Sequence, residues 1–148
     1  MTTSAMHIAV GLLARRDYSR HQIKTKLIQK GFELTEIDPV LDRCVDNGYL
    51  DDQRFAALLL RSHISKGHGH NRIRQSMAQK GLSKETIETA LNNSDCDWFE
   101  LARTKADKKF ASSGAIVDQK ERARRTRYLL AQGFTYEQVT YALEVEVD

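Results

Sequence analysis

Apolar residues along this chain recur at intervals of three and four, not two. Ile37, Val40, Leu41, Cys44 and Val45 follow an i, i+3, i+4, i+7, i+8 order, the stripe of a helix with one buried face. Ile23 and Leu27 stand four apart and share a face. Ala5, Ile8, Ala9 and Leu12 begin the chain in the same rhythm. Phe55, Leu58 and Leu59 follow a cap at Asp51 or Asp52, and Trp98, Leu101 and Ala102 follow one at Asp97. The pattern predicts nine helices. Eight glycines and one proline leave too few turn residues for a sandwich of short strands.

The chain repeats itself. At an offset of 50, Ile23 meets Ile73, Leu27 meets Met77, and Lys30-Gly31-Phe32 meets Lys80-Gly81-Leu82; Ile37 and Leu41 meet Ile87 and Leu91. At a further offset of 52, Gly81-Leu82-Ser83 meets Gly133-Phe134-Thr135, and Ala90-Leu91 meets Ala142-Leu143. Each shared feature has a mechanical reason. Gly31, Gly81 and Gly133 follow a last helical turn, where a left-handed conformation suits glycine. A valine at each should cost about 1–2 kcal/mol. Phe32 is expected to fold back on the helix it leaves. Ser83 and Thr135 suit N-caps, with Glu36, Glu85 and Glu137 in or near the first turn. Pro39 is expected near the start of its helix, where a missing N–H does least harm. Three similar units follow, over 1–46, 47–92 and 93–148, each of three helices. Such a unit is marginal alone, so the expected fold is all-α: three tandem three-helix repeats stacked as an elongated, curved solenoid.

Net charge is only +3, but its distribution is blocked. Residues 53–80 hold six basic residues and no acidic one, whereas residues 33–52 hold one basic and seven acidic. The second helix of every unit is basic. The third is acidic: Glu36, Asp38, Asp42 and Asp46; Glu85 and Glu88; Glu137, Glu144 and Glu146. Recurrence on equivalent helices suggests a periodic charged partner. No apolar run reaches the length of a membrane span, and Ile8 to Ala14 lacks the flanks of a signal peptide. Two cysteines, one of them at an apolar helical position, fit a reducing cytoplasm.

Particular stretches carry a resemblance. Leu12-Leu13-Ala14-Arg15-Arg16-Asp17-Tyr18-Ser19-Arg20 is similar to the opening motif of the RecX family, bacterial regulators of the RecA recombinase, and so is Gly48-Tyr49-Leu50-Asp51-Asp52-Gln53-Arg54-Phe55-Ala56. Lys66-Gly67-His68-Gly69-His70-Asn71-Arg72-Ile73-Arg74, followed by Lys80-Gly81, resembles the family's central signature. Asp97-Trp98-Phe99-Glu100-Leu101-Ala102, Arg127-Tyr128-Leu129 and Gly133-Phe134 resemble its C-terminal part. His70 stands where small residues or proline are usual, and Ser76 replaces a commonly acidic position. The resemblance implies three tandem three-helix repeats, no enzymatic activity, and binding in the groove of the recombinase–DNA filament that limits ATPase and strand exchange.

The expected partner is therefore a RecA filament on DNA. Weak direct DNA binding is a secondary expectation, and a monomer with no membrane association completes the picture. Candidate contacts are Arg15, Arg16, Arg20, Lys24, Arg61, Lys66, Arg72, Arg74, Lys80, Arg122, Arg124 and Arg125. No catalytic residue, metal ligand or cofactor is expected. His68 and His70 lack a nearby Cys, Asp or Glu to complete a metal set. The loop around them reads as a connection with Asn71 as N-cap, or as an anion contact at a basic helix start beside Arg72. Tyr18, Tyr49, Tyr128 and Tyr141 read as packing residues, and Trp98 as core or a junction between units. A direct nucleic-acid binder of helix-turn-helix outline is the competing class, opposed by the acidic third helix.

Overall fold

The computed structural model describes residues 3–144. Among them are nine helices and no strand: α1 (Ala5–Arg15), α2 (Arg20–Gln29), α3 (Leu34–Asp46), α4 (Asp52–Ser65), α5 (His70–Gln79), α6 (Lys84–Asn92), α7 (Trp98–Phe110), α8 (Gln119–Ala131) and α9 (Tyr136–Leu143). Glu146 lies outside the described residues.

The helix ends follow from local chemistry. Gly31, Gly81 and Gly133 have φ of 96°, 81° and 106°. Each closes a Schellman end. Phe32, Leu82 and Phe134 donate N–H to the carbonyls of Leu27, Met77 and Leu129, while the glycine N–H groups reach Ile28, Ala78 and Leu130. Thr135 caps α9 reciprocally: its hydroxyl accepts from Gln138 N–H and its own N–H donates to Gln138 Oε1. Ser83 accepts from Thr86 N–H, and Asp97 from Phe99 and Glu100. Two details depart from expectation. Pro39 is the sixth residue of α3, inside the helix, not near its start. Gly69, not Asn71, precedes the first residue of α5.

The chain divides into two compact bodies, Met1–Leu58 with Met77–Ala90, and Leu59–Ser76 with Leu91–Asp148. The division falls within α4, α5 and the end of α6. In the first body Ala5 and Ala9 of α1, Ile23 and Leu27 of α2, and Ile37, Leu41 and Cys44 of α3 form one core with Leu50. Burying each large aliphatic side chain is worth about 1.5–3 kcal/mol. Burial also raises the pKa of the Cys44 thiol, with Arg43 pulling weakly the other way. In the second body Ala102, Ala106 and Phe110 of α7 pack with Leu129 of α8, Phe134, and Val139, Ala142 and Leu143 of α9.

Each body contains a junction between successive repeats, and both use the same device. In the first, Ser19 at the N-cap of α2 donates its hydroxyl to the Lys80 carbonyl at 2.5 Å, and His21 lies against Gly81. In the second, Gly69 N–H donates to the Gln132 carbonyl at 2.8 Å and Asn71 N–H to the Gly133 carbonyl at 3.0 Å, with Arg72 against Gly133. The amide start of one second helix meets the carbonyl end of the next repeat's second helix. Opposite ends of two helix dipoles are thus apposed, and the orphan carbonyls are met by a side-chain hydroxyl in the first junction and by backbone N–H groups in the second.

Candidate functional site

The second helices bury one face and present cations on another. Arg15 and Arg16 at the end of α1 are exposed, with the Arg16 guanidinium 4.5 Å from the centre of the Tyr18 ring. Arg20 is half-buried and pairs with Asp42 at 2.9 Å; Lys24 is half-buried. Arg61, Lys66 and Arg72 are exposed. Arg74 is half-buried and donates to Asn71 Oδ1 at 3.2 Å. Lys80 is half-buried, its carbonyl engaged by Ser19. Arg122 is half-buried and Arg124 exposed.

Arg125 does not belong with these residues. Its side chain is 8% exposed, and the guanidinium donates to Glu121 at 2.6 Å and to the Gly114 carbonyl at 2.8 Å and lies 4.8 Å from the centre of the Phe110 ring. Arg124 shares Glu121 at 2.7 Å. The two guanidinium partners hold the Glu121 carboxyl down at about 2. A structural anchor replaces the partner contact expected at Arg125. The cause lies in the repeat register: positions 23, 73 and 125 are equivalent, and Ile23 and Ile73 are fully buried.

The loop before α5 is not an anion site. The N–H groups of Gly69 and Asn71 are taken by the Gln132 and Gly133 carbonyls just past α8, so they are not free for a phosphate. His68 and His70 do not converge either. His70 packs edge-on against half-buried Trp98, 5.5 Å between ring centres. His68 faces His63 across 2.8 Å, Nδ1 to Nδ1, and His63 Nε2 lies 3.1 Å from Ser76 Oγ. Burial lowers the His68 pKa to about 4, helped by the charges of Arg72, His63, Lys105 and Lys66. One nitrogen must donate and the other accept, so the pair disfavours a second proton. Among the described residues no three His, Cys, Asp or Glu side chains converge as metal ligands, and no helix is long and apolar enough to cross a membrane.

The expected packing tyrosines separate. Tyr128 lies edge-on to Phe110 and Tyr141 edge-on to Phe99, with Tyr141 donating to Glu100. Tyr18 packs on the core of the first body, but Tyr49 is 45% exposed. Tyr136 escaped sequence reasoning altogether and is 67% exposed. By spacing it stands three and seven residues before Val139 and Leu143, so periodicity would have placed it in the core; only its position directly after the N-cap Thr135, at the first turn of α9, sets it apart.

Models of the three RecX domains match in order: the first three-helix domain over residues 5–44, the second over 51–91 and the third over 95–143. The chain belongs to the RecX family. The regulatory protein RecX of Vibrio campbellii is 42% identical over 145 residues, covering 98% of this chain and 93% of its own. That of Chromohalobacter salexigens is 39% identical over 135 residues, 91% of this chain and 88% of its own. A crystal structure of RecX from Lactobacillus salivarius shares the fold with a TM-score of 0.83 at 18% identity, covering 93% of this chain and 91% of that one. A second RecX crystal structure gives 0.81 at 23% identity, covering 93% and 69%. The architecture is accordingly the RecX one: all-helical, in three three-helix domains.

Proposed function

We propose that this chain modulates, and mainly inhibits, the RecA recombinase by binding its filament on DNA and limiting ATPase and strand exchange. The observation that carries the reading is the match to regulatory RecX proteins along 98% of the chain. The exposed cations support it. Arg15, Arg16, Arg61, Lys66 and Arg72 face water, where they attract an anionic polymer over a Debye length and release counterions on contact. The three units act as 1–46, 47–92 and 93–148, each offering its second helix. A non-enzymatic role in the cytoplasm, as a monomer and without cofactor, follows from the same reading.

Direct duplex binding by a helix-turn-helix route is the competing reading. The third helices weigh against it. Glu36, Asp38, Asp42, Asp46, Glu85 and Glu137 are all exposed, and such a helix placed in a major groove would set carboxylates against phosphates. Binding to three samples separates the two: bare duplex, free recombinase, and recombinase filament. The filament should bind tightest. Equal affinity for bare duplex would transfer the function to the competing reading.

A further inference from the structure

We propose that the C-terminal end of α2, at Lys30, Gly31 and Phe32, is a docking site for the start of a helix from another protein. This rests on the repeat register and not on the filament reading.

The chain uses one joint twice. The start of α2 meets the end of α5 through Ser19, His21 and Gly81, and the start of α5 meets the end of α8 through Gly69, Asn71, Arg72 and Gly133. The start of α8 and the end of α2 are left over. The first is closed by its own residues. Positions 19, 69 and 121 are equivalent, yet α2 and α5 begin at 20 and 70 whereas α8 begins at 119. That added stretch is capped by Asp118, whose carboxylate accepts the Glu121 N–H at 2.8 Å.

The end of α2 is bare. It closes as its counterparts do, with Gly31 at φ 96° and the Phe32 N–H on the Leu27 carbonyl. The counterparts are covered and it is not. The Lys80 carbonyl takes the Ser19 hydroxyl, and the Gln132 and Gly133 carbonyls take backbone N–H groups. Among the described residues no donor reaches the Lys30 or Gly31 carbonyl. A Cβ built on Gly81 or Gly133 runs into the neighbouring helix start, whereas one built on Gly31 meets nothing within 4 Å. Leu82 and Phe134 are 5% and 1% exposed; Phe32, their equivalent, packs on the core from one side and stays half-buried.

The chemistry of the occupant follows. Open carbonyls at the negative end of a helix dipole call for N–H or O–H donors at a positive end, which is what a helix start presents. Glu33 and Glu36 follow directly, are exposed, and turn phosphates away. Glycine leaves room for a side chain to lie on the backbone, as His21 does at Gly81. The partner that fits is a protein whose helix start carries Ser, Thr or Gly at the cap, as Ser19 and Gly69 stand in the two filled joints.

The probe is a synthetic peptide of residues 17–30, held helical by a lactam between positions 25 and 29, both exposed in the chain. Added to the isotopically labelled chain, it should shift the amide resonances of Lys30, Gly31 and Phe32 saturably and leave those of Gly81 and Gly133 in place. Ser19→Ala in the peptide removes the hydroxyl donor and should weaken binding about 2- to 10-fold. Gly31→Ala in the chain should weaken it about 5- to 150-fold, since the added Cβ takes the space of the peptide's His21. Circular dichroism verifies that this variant is folded; if it is not, the Ser19→Ala peptide, which leaves the chain untouched, decides the matter. The proposal is overturned if no saturable shift appears up to millimolar peptide, if the shifts centre on Gly81 or Gly133, or if the Ser19→Ala peptide binds as its parent does. A scrambled peptide that shifts the same amides equally would overturn it too, because the end of α2 would then not be selecting a helix start.

Discussion

Three glycines end the three second helices with the same hydrogen bonds, yet their replacement should not cost the same. At Gly31, with φ of 96°, an added Cβ meets nothing within 4 Å. Gly31→Ala therefore bears only the strain of a left-handed backbone, about 1–2 kcal/mol. At Gly133 an added Cβ falls 2.5 Å from Arg72 Cβ, 2.6 Å from its N and 2.7 Å from the Gly69 carbonyl oxygen. At Gly81 it falls on the His21 side chain, 2.5 Å from Cδ2 and nearer still to Cβ and Cγ. Both junctions must open or shift, adding about 1–3 kcal/mol for overpacking. For a chain of this length each kcal/mol lowers Tm by about 2–4 °C. Gly31→Ala should fall by about 2–8 °C, and Gly81→Ala and Gly133→Ala by two to three times as much. His21→Gly should recover part of the loss in Gly81→Ala and none in Gly31→Ala, because only the first pair touches. Thermal unfolding followed by circular dichroism reads all of this. Equal losses for the three alanines, or simple addition of His21→Gly and Gly81→Ala, would refute the close junction.

Three further outcomes are expected. Ser19→Ala removes both an N-cap and the bond to the Lys80 carbonyl, so it should cost about 1–3 kcal/mol by urea unfolding, against about 1 for Ser83→Ala, which loses a cap alone. The His68 pKa is lowered on folding from 6.5 to about 4; its contribution is whole above pH 6.5 and is lost as pH falls toward 4, so His68→Gln should flatten Tm over that window. Glu121, lowered from 4.5 to about 2, contributes above pH 4.5 and loses it below; Glu121→Gln should destabilise at pH 7 by orphaning Arg125, whereas the pair Glu121→Gln with Arg125→Met should regain much of the loss in a pH-jump unfolding series.

Much of the fold was legible because the repeat makes each local signal occur three times. Glycine and a following apolar residue recur at 31, 81 and 133, with a hydroxyl cap after the second and third, and the backbone at the three glycines closes alike. The same register held the answer for Arg125, since 23 and 73 are isoleucines. Reading charge by helix and not by position hid it. The junctions were less legible. A glycine such as Gly69 signals flexibility in a sequence, whereas here its smallness lets the backbone of Gly133 approach, a contact between residues 64 apart. The His63–His68 pair and the free face of Tyr136 depend likewise on which helix side is covered, information that periodicity within one helix does not carry.

The central claim is that the chain restrains a recombinase filament through its exposed cations. DNA-dependent ATP hydrolysis by preassembled RecA filaments, titrated with the chain at fixed salt, tests it most directly. The account predicts that hydrolysis falls toward a low plateau, that the joint charge reversal Arg61→Glu and Arg72→Glu shifts the midpoint to higher concentration without unfolding the protein, and that added salt shifts the wild type more than the variant. Hydrolysis that stays unchanged at saturating protein, or that falls equally for wild type and variant at every salt concentration, would contradict it.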